Sequence, residues 1–350
     1  MMDWLNHLDP TTQLALFAAV KAVAAFSVMM TMVAYIVLVE RRVCAFMQDR
    51  IGPNRTGPFG LLQPAADGIK AFFKEEMTPA HVRKIYYVIA PAICLMPAIL
   101  NLAVIPFGSS IKGEPMVLAN LNVGILYTFG IVSLGVYGIV LAGYASNSKF
   151  PFLGGIRSSA QMISYEIAMG MSVIPIFMLV GDLNLSSVIH YQTGGLFSWL
   201  VFKQPLAFII FLVASFAETN RAPFDLPEAE QELAGGYNIE YSSIKFALFF
   251  MAEYANMILV SAMMVTLFFG GWTLPFFGLD QTATTLLGGV LHIGIFLAKV
   301  FAFLLMFIWV RWMVPRFRYD QLMDLGWRRF IPLALANIVV TAVWLWWSTK

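Results

Sequence analysis

The sequence predicts an all-α polytopic integral membrane protein with eight transmembrane helices, an amphipathic interfacial helix and long cytoplasmic loops. Of its 350 residues 59% are hydrophobic and only 12% charged, about half the charged share of a soluble domain. Apolar runs of bilayer-spanning length recur along the chain, and the Lys and Arg residues gather in alternate connections between them.

The runs cover roughly 14–39, 85–107, 121–145, 159–181, 201–218, 243–270, 287–310 and 329–348, each read as one helix of about 20 residues. The opening "MMDWLNHLDP" has no basic stretch before the first run, so that run is expected to be a retained helix rather than a cleaved signal. Connections after the odd-numbered runs hold Arg41, Arg42, Arg50, Arg55, Lys70, Lys74, Arg83, Lys84, Lys149, Arg157, Arg221, Arg311, Arg316, Arg318, Arg328 and Arg329. The other side has Lys112, Lys203 and Lys350. Both termini are therefore expected on the outer side and the long loops inside.

After the first run, "DRIGPNRTGPFG" is dense in Gly and Pro and predicts a compact, turn-rich loop. Residues 61–76 follow, with Leu61, Leu62, Ala65, Ile69, Phe72 and Phe73 near one helical stripe and Gln63, Asp67, Lys70, Lys74 and Glu75 mostly elsewhere. This pattern predicts a helix lying in the membrane interface. Without an internal repeat or a low-complexity segment, residues 1–350 read as one integral membrane domain. Cys44 and Cys94 are too few for a metal cluster and suggest no disulfide framework.

Ionisable residues within spans are costly in hydrocarbon and point to a functional path. Glu166 lies about nine residues into the fourth run, roughly 13 Å along a helix, and Glu253 about ten residues into the sixth, roughly 15 Å. Glu218 closes the fifth run, and the stretch after it, "FAETNRAPFDLPEAEQELAGGYNIEY", sets Glu218, Asp225, Glu228, Glu230, Glu232 and Glu240 against the single cation Arg221. Pro223, Phe224, Leu226 and Pro227 interrupt this segment and Gly235 and Gly236 bound it, which fits a segment folded back to line a hydrated funnel; the other reading is a solvated acidic face on which Glu228 and Glu232, at i and i+4, repel outward. The carboxylates form a ladder from the inner side to mid-membrane and then stop, so a proton route would turn sideways into a neighbouring subunit. The alternative is that Glu166 and Glu253 pair with Lys245, Lys299 or Arg157 and only hold helices together. Lys21 and Lys299, also within spans, are read as snorkelling or paired groups, and His292 as either a helix–helix hydrogen-bond partner or a proton carrier. Trp344, Trp346 and Trp347 read as an interfacial anchor.

"VERRVCAFMQDRIGPNRTGPFGLLQPAADGIKAFFKEE", "GGIRSSAQMISYEIAMG", "FALFFMAEYANM" and "VPRFRYDQLMDLGWRRFIPL", together with the acidic stretch, closely resemble the H membrane subunit of respiratory complex I, the proton-pumping NADH:quinone oxidoreductase. The resemblance runs from about residue 35 to residue 333. Arg42, where Lys is commoner in that family, and Ala45, where Gly is common, are small departures. The resemblance implies a heel subunit of the membrane arm that docks the peripheral arm and shapes much of the quinone chamber. It assigns the proton path to Glu166, Glu218, Asp225, Glu228, Glu230, Glu232 and Glu253. Arg41, Arg50, Arg221, Arg316 and Arg318 would line or brace the chamber, with Phe224, Phe250 and Met251 at the quinone tail.

It further implies a quinone, ubiquinone or menaquinone, as substrate, with NADH, FMN and iron–sulfur clusters held only by partner subunits. The chain itself has no nicotinamide-binding fingerprint after a strand and no cysteine set for a cluster, so no catalytic redox residue and no metal ligand is assigned. The implied partners are the other membrane-arm and peripheral-arm subunits and the lipids of the bacterial inner membrane, with no nucleic acid. Two alternatives stand beside this reading: the equivalent subunit of a complex fed by ferredoxin or hydrogen, and a stand-alone proton-coupled transporter. The second would call for broken helices in paired repeats.

Overall fold

A computed structural model describes residues 10–111, 114–227, 230–276, 278–283 and 285–348. The protein is helical, as its apolar runs require: in hydrocarbon a helix satisfies every backbone group within its own segment. The long helices are α1 (Pro10–Met47), α3 (Lys84–Asn101), α4 (Gly124–Ala145), α5 (Lys149–Val180), α10 (Ser243–Phe268), α11 (Leu286–Met313) and α13 (Ile331–Ser348). The last continues α12 (Tyr319–Asp324) through a π-helical turn, Leu325–Phe330. Among the described residues seven helices are long and apolar enough to cross a membrane.

The expected span at 201–218 is divided. Gln204 has φ −134° and ψ 61°, outside the helical region as the residue before a proline prefers. The chain therefore stops after α7 (Leu200–Lys203) and restarts at Pro205 as α8 (Pro205–Glu218). With 14 residues, α8 is about 21 Å long, well short of a hydrocarbon layer about 30 Å thick. At the first span the difference runs the other way: α1 continues past residue 39 to Met47, which carries Glu40 and Arg41 on the helix rather than in a loop. The interfacial helix forms as α2 (Gln63–Phe73), with Ile69, Phe72 and Phe73 exposed.

Three short helical pieces, α6 (Leu185–Tyr191), α7 and α9 (Glu230–Leu233), and a two-residue ladder of β1 (Ser110–Ile111) with β2 (Glu114–Pro115) complete the connections. α10 is the central helix: from Tyr254 to Phe268 nearly every residue is buried. The main buried cluster joins α1, α5, α8, α10, α11 and α13, and a second one joins α3, α4 and α10. Close helix approach depends on small residues, the usual device where both solvent and core are apolar. A Cβ on Gly138 of α4 would lie 2.5 Å from the Cys94 Sγ of α3.

Candidate functional site

The acidic segment after α8 is folded back onto the bundle. Gln161 of α5 anchors it, its Nε2 donating to the carbonyls of Ala217 at 2.7 Å and Phe224 at 2.8 Å. Within the segment the Phe224 N–H donates to the Arg221 carbonyl at 2.8 Å. The stretch that follows α11 clasps it from the other side. Arg316 lies 2.9 Å from Asp225, the Phe317 N–H donates to the Pro223 carbonyl at 3.1 Å, and the rings of Phe224 and Phe317 stack at 5.4 Å.

This fold drives Arg221 into the bundle, where it is only 5% exposed. Its Nη1 and Nη2 donate to the two carboxylate oxygens of Glu40 on α1, both at 3.2 Å. Its Nε lies 2.8 Å from Glu253 of α10, and its guanidinium sits over the Tyr254 ring at 4.4 Å. Glu40 also accepts from the Tyr254 hydroxyl at 2.7 Å and from Arg311 of α11. Two carboxylates thus face two guanidiniums, which is how buried charge survives the loss of water. Burial by itself would lower the Arg221 pKa; Glu253, Tyr254 and Glu40 raise it, so the cation is fixed.

The cluster joins two cavities. On one side α1, α2, α10 and α11 border an open cavity of about 830 Å³, whose wall includes Glu40, Arg41, Arg50, Phe250, Met251 and Tyr254. Arg41 ties two of these walls together through Asp67 of α2, at 2.7 Å. On the other side a cavity of about 30 Å³ is lined by Glu253, Glu218, Asn256 and Asn220, among others, enough room for a water molecule. Glu218 is 3% exposed and neither of its carboxylate oxygens has a hydrogen-bond donor among the described residues. Glu166 of α5 accepts from the Ser133 hydroxyl of α4.

Of the residues singled out in the sequence, Glu253 pairs with Arg221 and shares the smaller cavity with Glu218, Asp225 pairs with Arg316, and Glu166 is bonded to Ser133. Glu232 stands apart, exposed and paired with Arg157 at 2.8 Å. Glu228 lies outside the described residues, and Glu230 is described in its backbone alone. Arg41, Arg50, Phe250 and Met251 line the larger cavity, whereas Arg221, Phe224, Arg316 and Arg318 do not. Phe224 is held between Tyr165 and Phe317, and Arg318 is an exposed group paired with Asp320. The helix-pairing alternative finds different partners from those it named: Lys245 pairs with Glu76 and Lys299 with backbone carbonyls. Glu40, Tyr254 and Arg311 were not anticipated as site residues. The available signal was Glu40 itself, a carboxylate directly before two arginines in "VERR".

Tyr254 is a direct test of the cluster. Tyr254→Phe removes a hydrogen bond to a charged acceptor, a contribution of about 1.5–3 kcal/mol, and is expected to lower the melting temperature of the assembled protein. An unchanged melting curve would show that the Glu40 contact contributes nothing.

A bundle of long apolar helices with paired charges in its interior, set beside a largely apolar cavity, defines a polytopic integral membrane protein. The family model described as NADH dehydrogenase matches residues 20–342. Among relatives, the first of the NADH-quinone oxidoreductase H subunits of Cytophaga hutchinsonii is 50% identical, over 91% of this chain and 93% of that protein. Its counterpart in Geobacter sulfurreducens is 49% identical, over 92% and 93%. The H subunit of the Flavobacterium psychrophilum enzyme is 48% identical, over 93% and 96%. The chain belongs to the NADH dehydrogenase family, beside the H subunits of NADH-quinone oxidoreductases.

Proposed function

We propose that the chain is the quinone-chamber and coupling subunit of a proton-translocating NADH:quinone oxidoreductase in the bacterial inner membrane, with both termini outside. The observation that carries this reading is the position of Glu40 and Tyr254. They stand on the wall of the 830 Å³ cavity and at the same time hold Arg221, whose other partner is Glu253.

The cavity suits a quinone: its volume is within the usual range for ligand pockets, and its mostly apolar wall is interrupted by polar groups that include Glu40, Arg41, Tyr254 and Arg311. Reducing a quinone to the quinol consumes two electrons and two protons. The electrons come from NADH by way of FMN and iron–sulfur clusters in partner subunits. A change of charge in the cavity acts on Glu40 and Arg311, and through the shared guanidinium of Arg221 on Glu253, and so biases the ladder of Glu218 and Glu166. Asp225, Glu228, Glu230 and Glu232 would feed that ladder from the inner surface. Arg41, Arg50, Phe250 and Met251 contact the ligand, while Arg221, Phe224, Arg316 and Arg318 brace the chamber from behind. The inner end of α1, the loop after it and the end of α2, with Phe46, Ile51, Phe59 and Phe73 exposed, suit the docking of a peripheral arm. The whole chain acts as one integral unit.

Glu218→Gln tests the reading. In the assembled complex, checked by native gel, NADH-driven quinone reduction or its coupling to proton uptake is expected to fall at least about tenfold, the scale of a lost proton-transfer group. Glu253→Gln is the second point on the ladder. Wild-type rates and wild-type pumping with both glutamates neutralised would overturn it.

A further inference from the structure

Lys299 has no part in the network above. It lies on α11, 12 residues before Arg311 and hence about 18 Å along the helix from it. Its Nζ donates to three backbone carbonyls just beyond the end of α10: Phe269 at 2.7 Å, Gly271 at 3.0 Å and Thr273 at 2.6 Å. Three N–H bonds require all three protons of an ammonium; the neutral amine has only two. The ammonium also lies 4.7 Å from the centre of the Trp199 ring, a cation–π contact.

The socket is built for this charge. Gly270 and Gly271, with φ of 68° and 56°, curl the chain so that its carbonyls converge. A Cβ on Gly270 would lie 2.9 Å from the Trp199 indole nitrogen, and one on Gly271 2.5 Å from Ile189. The carbonyl end of a helix carries negative partial charge and favours a cation. Gln192 closes the same end, its Oε1 accepting from the Gly270 N–H at 3.0 Å and from the Leu200 N–H at 3.2 Å. Among the described residues no carboxylate forms an ion pair with Lys299, so its positive charge is not cancelled. Between this socket and Glu253, α10 presents buried side chains from Met257 to Phe268, apolar except for Ser261 and Thr266, whose hydroxyls are spent on the Met257 and Ala262 carbonyls of the same helix.

We infer that Lys299 is an electrostatic seal, a fixed positive charge that denies hydronium and other cations a way from the buried acids to the opposite end of the bundle. A cation approaching along α10 meets first a buried, mostly apolar layer whose two hydroxyls are already hydrogen-bonded, and then a like charge that cannot swing aside. Membrane pores use fixed cations against protons in the same manner. The inference rests on the reading that Glu218 and Glu253 carry protons, but its test requires no turnover. A failed Glu218→Gln experiment and a failed seal experiment are therefore separate results.

The complex carrying Lys299→Met is reconstituted into vesicles without electron donor, the voltage is clamped with potassium and valinomycin, and the decay of an imposed pH gradient is followed with an internal dye. Decay at least about threefold faster than wild type is expected, since a charge barrier has been removed. Lys299→Gln, which keeps N–H donors without the charge, is expected to leak like Lys299→Met and serves alone if the methionine variant does not assemble. Lys299→Arg is expected to stay tight. Wild-type decay in the neutral variants would overturn the seal. So would a leak with Met and none with Gln, because the socket would then need filling and not charge.

Discussion

Arg221→Met is expected to give a complex that either fails to assemble or reduces quinone at least about tenfold more slowly than wild type. The guanidinium serves Glu40 through two N–H bonds and Glu253 through a third contact. Methionine fills much of the same volume and supplies no charge. Glu40 would keep Arg311 and Tyr254, but Glu253 would lose its ion-pair partner inside the bundle. Breaking a buried pair from one side costs about 3–5 kcal/mol, because the remaining charge stays in low dielectric without compensation. Arg221→Lys separates charge from geometry. An ammonium restores the positive charge but cannot fork to Glu40 while reaching Glu253, so partial recovery is expected. Native gels, melting curves of the purified complex and NADH-driven quinone reduction decide the outcome. A methionine variant with wild-type stability and rate would show that the cluster is not a unit.

Gly154→Val should detach the acidic segment from the bundle. Gly154 of α5 faces backbone: a Cβ there would lie 2.9 Å from the Pro227 carbonyl oxygen, 2.9 Å from the Tyr237 nitrogen and 3.0 Å from the Gly236 Cα. No side-chain rotation relieves contacts with backbone atoms, so residues 227–237 must move away from α5. The clasp formed by Gln161, Arg316 and Phe317 would then be strained, and with it the position of Arg221. The expected result is faster protease cleavage within residues 219–242 and a loss of quinone reduction comparable with that of Arg221→Met. Gly170, also on α5, has nothing within 4 Å of a Cβ, so Gly170→Ala is the control and should be silent in the isolated chain. Protease resistance in the valine variant would mean that the segment is held by other contacts.

The helices were largely legible because hydrocarbon leaves so few choices: long apolar runs must be helices, and they are. The boundaries that differ have local causes, the break before Pro205 and the continuation of α1 through Glu40. The acidic segment was recognised as folded back from its prolines, aromatic residues and glycines. Its ion partners were not legible. Arg221 and Glu40 are 181 residues apart, and nothing in the spacing of either selects the other. Arg221 read as the lone cation of an acidic loop, whereas its counter-charges come from α1 and α10. Phe224 drew attention as a tail contact because it is aromatic and close to acids, yet stacking on Phe317 turns it into part of a clasp. Arg41, Arg50, Phe250 and Met251 were found through the motifs of a resembling family, and their shared cavity depends on α1, α2 and α10 converging, which only the folded chain displays.

The shortness of α8 has an electrical consequence. Where a helix of about 21 Å stands in a layer about 30 Å thick, the lipid must thin or polar groups must reach inward to meet its ends. Membrane voltage falls across the low-dielectric thickness, so the field is steepest where that thickness is least. Moving one elementary charge across the full drop takes about 2.3 kcal/mol per 100 mV, and a proton that stops at Glu218, the last residue of α8, takes a share set by its depth. On the proposed proton route, occupancy of that carboxylate would answer to voltage as well as to pH. An energised membrane and a collapsed one would load it differently even when the proton concentrations on both sides are identical.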